Sequence, residues 1–383
     1  MKIGILTLPL HTNYGGILQA YALMTIIKRM GHEVVLISMN NSYYPLLWKK
    51  PFILAKYILK KYVLKKDVLP FNQRRIKLIK DREIMMEEHI TPFINKYIQP
   101  QTKLCTVKNV KSICDEYDFD IYIVGSDQVW NGALSNLTTF FFDFVSDNKK
   151  RISYAASFAS QSWIYSNKLT KKCKNLISKF SYISVREDVG VFFCEDKFNI
   201  NATHVLDPTF LLSVSEYNSI INNYISIKNT STRNGIMTYI LDESDDKDTS
   251  VNIISDFYSL PIFSIHNQNI SNKELPAEDR VQPAVELWLQ GFKEADFIIT
   301  DSFHACVFSI IYKKNFIVYG NEKRGMARFY SLLSLFGLEN RLVKHSTEIT
   351  ANLLKESIQW ENVHKKLREE QKKSMNFLIK ALS

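Results

Sequence analysis

The stretch "KIGILTLPLHTNYGGILQAYALMTIIKRMGHEVVLISM", residues 2–39, constrains the fold more than any other. Lys2–Leu8 is an apolar run with β-branched residues, and "HTNYGG" is a turn. Ile17–Met30 carries apolar residues at helical spacing, Gly31 is a natural stop, and Glu33–Met39 is strand-like again. Strand, helix and strand in this order make a βαβ unit, and such units build parallel sheets.

The same alternation runs through the chain. Strand-like runs recur at Asp120–Val124, Arg151–Ala156, Tyr182–Val185, His204–Leu206, Gly235–Leu241, Pro261–Ile265, Phe297–Thr300 and Phe316–Tyr319, with helical stretches between most of them. This predicts an α/β protein whose parallel sheets are covered by helices on both faces. With 383 residues, 46% of them hydrophobic, the chain can bury two cores. The polar stretch "NNYISIKNTSTRNG", Asn222–Gly235, reads as a linker. It divides the chain into residues 1–230 and 231–383, each expected to form a Rossmann-like domain. A charged helix near Glu361–Ala381 can pack on either.

Several function classes are disfavoured. No run of about 18 uninterrupted apolar residues predicts a spanning helix. The first apolar run lacks a small-residue cleavage site and reads as a strand, so a cytoplasmic location is expected. The five cysteines are odd in number and without CxxC spacing, which fits a reducing compartment and argues against structural zinc. No HxH or HExxH cluster suggests any other metal. The net charge of +10 reflects either lysine-rich composition or an anionic substrate or membrane surface. Basic residues spread along the chain and the lack of RNP, KH or zinc-finger patterns argue against nucleic acid. Trp48–Lys66 carries seven lysines and no acid, with apolar residues at helical spacing. It reads as a solvated helix packed on the protein, or as a basic amphipathic helix resting on an anionic membrane.

In open α/β sheets ligands sit beyond the carboxyl ends of the strands, so those segments hold the candidate site. "TNYGG" follows the first strand. Asn13, Tyr14 and Gly15 open a helix there, where glycines let backbone approach a ligand and free N–H groups favour an anion. It is not GxGxxG, and no acid ends the second strand, so NAD is not expected. "IVGSDQVWN" gathers Ser126, Asp127, Gln128 and Trp130. Asp127 reads as a base for a sugar hydroxyl or as an Asx-turn residue, and Trp130 as a platform for a sugar ring. "SVREDVG" places Arg186 just after a strand, to pair with a carboxylate of the protein or to grip an anionic ligand. "FIITDSFHACVFS" puts Ser302 and His304 at the start of a helix, where His304 is either a packed histidine or a catalyst. "NEKRGMARF" clusters Lys323, Arg324 and Arg328 around a glycine that suits a phosphate.

Together with "SYAASF" and "VLDPTFLL", these segments resemble the polysaccharide pyruvyl transferase family, in the family's order and over residues 3 to about 340. The resemblance implies a two-domain fold like that of the GT-B glycosyltransferases, with the active site in the interdomain cleft. It implies phosphoenolpyruvate (PEP) as donor, a pair of sugar hydroxyls as acceptor and a pyruvate ketal on a cell-surface glycan as product. The family's catalytic histidine falls on His304 and a PEP-binding arginine on Arg186. Many members carry a second arginine two residues before the histidine. Here that position is Ser302, which leaves Arg328, Arg324 or Lys323 to supply the charge. PEP is a co-substrate, and the scheme needs no cofactor or metal. A lipid-linked acceptor would bring the enzyme to the inner membrane face. Two rival readings stand beside this one: a GT-B glycosyltransferase using a nucleotide sugar, and a non-catalytic protein of glycan assembly.

Overall fold

The computed structural model describes residues 1–40, 50–66, 68–228, 233–320 and 325–383. Strands β1 (Lys2–Leu6), β2 (Glu33–Ile37), β3 (Ile121–Gly125), β4 (Lys150–Ala156), β5 (Tyr182–Val185) and β6 (Thr203–His204) form one sheet in the order β2-β1-β3-β4-β5-β6. Strands β7 (Ile236–Tyr239), β8 (Ile262–Ser264), β9 (Phe297–Thr300), β10 (Asn315–Tyr319) and β11 (Leu342–Val343) form a second in the order β11-β10-β9-β7-β8. Every pairing is parallel. A strand covered on both faces buries successive side chains, and β3, β7 and β9 are buried at every position.

Each apolar run read from the sequence is a strand, with ends moved by up to two residues. β11 has two residues, too few to carry a pattern. The polar stretch taken for a linker is different. Helix Val214–Lys228 runs through its first half, because Tyr217, Ile220 and Ile221 bury one side of that helix.

The largest core is continuous from one sheet to the other. Ile3 and Ile5 of β1 belong to the same buried cluster as Met237 of β7, Ile298 of β9 and Trp288 of helix Val285–Glu294. The far faces of the two sheets have their own clusters. The closing helix, Trp360–Leu382, also joins the halves. Ser374 Oγ accepts from Leu206 N at 3.0 Å and Phe377 lies against Tyr154 and Tyr182, while His364 Nε2 meets Ile310 O at 3.1 Å. Residues late in sequence thus help cover the first sheet. Among the described residues no helix is long and apolar enough to cross a membrane.

Candidate active site

The loops beyond the carboxyl ends of β1, β3, β7 and β9 meet at one cleft of about 530 Å³. His11 and Asn13, Asp127 and Gln128 line it from the first half. Ser302, His304 and Arg328 line it from the second. These residues come from motifs as much as 300 positions apart, and the two parallel sheets bring them together by presenting their carboxyl ends to a common space.

The position of His304 follows from its strand. Thr300 Oγ1 donates to Tyr239 O at 2.6 Å and accepts from Ser302 N at 3.0 Å, which fixes the turn out of β9. Ser302 is the N-cap of helix Phe303–Ile311, and His304 is in its first turn, only 5% exposed. The imidazole packs onto the other half of the molecule at Gly15. A Cβ at Gly15 would stand 2.0 Å from His304 Nδ1. The glycine expected to admit a ligand therefore admits the histidine ring. His304 Nε2 stands 3.5 Å from Asp207 Oδ2, a charge contact longer than an ordinary hydrogen bond.

Asp207 is the hub behind that histidine. It follows β6, and the sequence reading gave it no role. Its Oδ2 accepts from Arg186 Nη1 at 2.8 Å and Ser126 Oγ at 2.9 Å, and its Oδ1 from Thr209 N and Oγ1 at 3.0 and 2.7 Å. Burial opposes ionisation of Asp207. The nearby His304 and the charge and hydrogen bond of Arg186 overcome that and hold the carboxyl well below the usual carboxylate range.

Arg186 is not at the cleft surface. Its side chain is 2% exposed and faces Asp207, with Asp127 and Glu187 at 3.6 and 3.5 Å. Burial works against its charge, but the three carboxylates prevail and raise its pKa. An arginine so engaged is part of the wall rather than a free grip for an anion, and this revises the sequence expectation. Its guanidinium carbon lies 4.5 Å from the centre of the Phe303 ring, and that of Arg328 lies 5.3 Å from the same ring. Of these two arginines, Arg328 reaches the cleft. With its amide oxygen turned toward Arg328, Gln128 accepts from both terminal guanidinium nitrogens at 3.0 and 3.1 Å.

Asp127 faces the cleft from a strained backbone, φ +69, which an aspartate tolerates better than most residues. Asn13 Nδ2 donates to its Oδ2 at 3.4 Å, while Asn13 Oδ1 caps the helix by accepting from Gly16 N at 3.2 Å.

Two expected contacts are placed elsewhere. Trp130 is fully buried, stacked on Phe141 with ring centres 4.9 Å apart, and donates to Phe140 O at 3.1 Å. It is a core residue, not a sugar platform. Tyr14 stacks on Trp288 at 5.5 Å and donates to Pro283 O at 2.8 Å, joining the two halves below the cleft. Ser126 acts through Asp207. Lys323 and Arg324 lie outside the described residues. Gly325 has φ +89 and sits so close to Ala159 that a Cβ would stand 2.3 Å from its carbonyl oxygen. That glycine serves a backbone approach between the halves.

The sequence reading missed other lining groups. His11 directly follows the first strand run. Burial, then Arg82, push its pKa down to about 4 against the pull of Asp127, so the ring is neutral at pH 7. Asp242, Glu243 and His266 line the second half's side of the cleft. Burial lowers the pKa of His266 as well. Asp301 also reaches the cleft, but its carboxylate accepts from Leu241 N at 2.7 Å, Asp242 N at 3.1 Å and Lys247 Nζ at 2.7 Å. The rule that selects strand ends would have found His11 and Asp207, since both stand where a β-branched or apolar run stops.

Among the solved structures similar to this chain are the following three. The UDP-GlcNAc 2-epimerase of Neisseria meningitidis, solved bound to UDP-GlcNAc, superposes over 100% of this chain and 99% of its own, with a TM-score of 0.50 and 10% identity. The wall teichoic acid polymerase TagF, as its H444N variant, covers 98% of this chain and 83% of its own at 12% identity and a TM-score of 0.46. The spinosyn forosaminyltransferase SpnP covers 97% and 95% at 11% identity and a TM-score of 0.46. At 10% identity the epimerase likeness concerns the fold alone, a GT-B-like pair of Rossmann-like sheets. No curated protein matches the chain. The family model for polysaccharide pyruvyl transferase matches residues 13–323, from the Asn13 turn to the segment before Arg328 and well over half of the chain. The chain belongs to the polysaccharide pyruvyl transferase family.

Proposed function

We propose that the protein transfers a pyruvyl group from PEP to two hydroxyls of a glycan precursor, forming a pyruvate ketal. The observation that carries this reading is the convergence of His304, Arg328 and Asp127 on one cleft from motifs distant in sequence. PEP is an enol phosphate ester that also carries a carboxylate. His304 delivers a proton to the methylene carbon, which becomes the methyl group. The adjacent carbon then takes oxocarbenium character, and the first sugar hydroxyl adds to it while Asp127 accepts the hydroxyl proton. A second hydroxyl attacks the same carbon, the bond to the phosphate oxygen breaks, and the phosphate leaves with the remaining proton. The products are the ketal and inorganic phosphate.

Each wall has a part in this scheme. Arg328, oriented by Gln128 and Phe303, meets the donor anion. Lys323 and Arg324 are two further cations in sequence for the same donor. Asp207, held by Arg186, Ser126 and Thr209, faces the His304 ring and keeps it against Gly15. Asp242, Glu243 and neutral His266 and His11 supply hydrogen-bonding groups suited to sugar hydroxyls. The acceptor end of the cleft is assigned to these groups, which come from both halves. The same reading takes residues 1–230 and 231–383 as the two domains flanking the cleft. It also takes the cytoplasm as the setting, in keeping with five buried, unpaired cysteines.

The test is incubation with PEP and a panel of lipid-linked glycans, following phosphate release together with the mass gain of the added pyruvyl group. One phosphate released per pyruvyl group gained is the expected result. Thermal stabilisation by UDP-sugars with none by PEP would favour a nucleotide-sugar transferase instead.

A further inference from the structure

We infer that the helical pair at residues 50–66 and 71–87 is a docking surface for an anionic lipid bilayer. Lys50–Ile58 is an α-helix that continues in wider π geometry through Leu59–Val63, and Phe71–Glu87 is the second helix. Ile53 and Tyr57 of the first element are half-buried, but most of its other apolar groups face solvent. Phe52, Leu59, Tyr62 and Val63 are 69%, 51%, 66% and 65% exposed, and Ile76 on the second helix is 65% exposed. So short a helix is marginal in water by itself, and this one leaves most of its apolar groups wet.

The charge of the same segment says what covers it. Residues 50–80 contain ten Lys or Arg and one acid, Asp67, a net charge of +9. The whole chain carries +10, so the other residues are close to neutral. Read residue by residue the basic groups look dispersed. Counted against the acids, the excess is concentrated here. A second copy would bring the same positive charge face to face, which opposes self-association. A nucleic acid would meet the lysines and leave the apolar groups in water. An anionic bilayer meets both, with head groups for Lys56, Lys60 and Lys61 and an interfacial region for Phe52, Leu59 and Tyr62.

The pair is rooted at both walls of the cleft. Arg82 Nη2 donates to Leu10 O at 2.6 Å, next to the cleft residue His11. Arg280 Nη2 pairs with Asp81 Oδ2 at 2.8 Å, and the carbonyl of Arg280 accepts from the cleft residue Gln282 at 3.0 Å. Docking therefore holds the cleft beside the membrane, where a lipid-linked acceptor is presented. That last link rests on the transferase reading, whereas the docking does not.

Flotation of the purified protein with phosphatidylcholine vesicles, with and without phosphatidylglycerol, tests the inference. The protein is expected to float at low salt with the anionic vesicles only, and high salt should weaken the association. Replacing Lys56, Lys60 and Lys61 together by Gln should lower the partition coefficient on the order of 100-fold. Phe52→Ser with Tyr62→Ser should lower it while the charge is kept, and thermal unfolding checks that each variant is folded. No flotation at low salt, equal flotation with neutral vesicles, or unchanged flotation of the lysine variant would overturn the inference. So would a stable dimer in solution that Phe52→Ser with Tyr62→Ser dissociates. None of these measurements uses PEP, so their failure leaves the proposed reaction standing.

Discussion

Asp207 and Asp301 are two fully buried carboxylates, one at a strand end in each half of the molecule. Each is paired with a buried cation, Arg186 or Lys247, and each accepts several further hydrogen bonds. The difference lies in where the partners come from. Asp301 is bonded by Leu241, Asp242 and Lys247, all of its own half, so it ties β9 to the loop leaving β7. Asp207 collects Arg186, Ser126 and Thr209 from its half and faces His304 from the other. The same chemistry holds a loop in one place and aligns a reactive group in the other. What separates the two is whether the carboxylate meets a residue the rest of its own half does not need.

The strongest way to break that contrast starts at His304. Changing His304→Gln should cut turnover by about 10²–10⁴-fold while the thermal midpoint stays near that of the parent. Near-normal activity in the folded variant would remove the histidine from the reaction, and with it the special role of Asp207.

The two carboxylates come next. Asp301→Asn removes the carboxylate paired with buried Lys247 and should cost about 3–5 kcal/mol of stability, whereas Asp207→Asn leaves Arg186 with Asp127 and Glu187 and should cost less. Measured at a temperature where both variants are folded, only Asp207→Asn should also lower kcat. Equal losses of kcat would mean that the two sites differ less than their partners suggest.

The acid limb of the stability profile sharpens the view of the first-half wall. His11 is kept neutral in the fold, with a pKa near 4. Below about pH 6.5 the unfolded chain binds a proton there that the folded chain refuses until about pH 4. Stability is therefore present above pH 6.5 and is lost as the pH falls through that window, by about 3 kcal/mol at its end. His204 and His266 have pKa values lowered by burial and act in the same direction. The His11→Asn variant isolates the share of His11 and should show a shallower slope in chemical denaturation between these pH values. An unchanged slope would place His11 in water.

The smallest effect concerns the donor contact. Arg328→Lys keeps the charge but loses the fork that meets Gln128, and should raise the KM for PEP by about tenfold with little change in kcat. A loss confined to kcat would instead move Arg328 to the reacting centre.

Much of this was readable in the chain, for a physical reason. Strands of a parallel sheet are buried on both faces, so each appears as an unbroken apolar run, and only two-residue β11 escaped. The strand-end rule then selected Asn13, Asp127, Gln128, Ser302, His304 and Arg328, all of which line the cleft. It could not sort the aromatic residues. Trp130 and Tyr14 also follow strands, but whether such a ring faces a ligand or the core depends on distant partners, such as Pro283 for the Tyr14 hydroxyl. Arg186 was seen as a cation, but Asp127 and Asp207, two of the three carboxylates that enclose it, reach it only on folding. The role of Asp207 was hidden for the same reason, since its partner Ser126 is 81 positions away and His304 belongs to the other half.

The central claim is that His304 protonates the methylene carbon of PEP in this cleft. The most direct test is to run the reaction in D₂O with a lipid-linked glycan that gains mass and to read the ketal methyl group by NMR. A single deuterium in that methyl group, with one phosphate released per ketal and no product from His304→Gln, is the predicted result. Phosphate release without a new methyl group, or a monodeuterated ketal formed at the parent rate by His304→Gln, would contradict it.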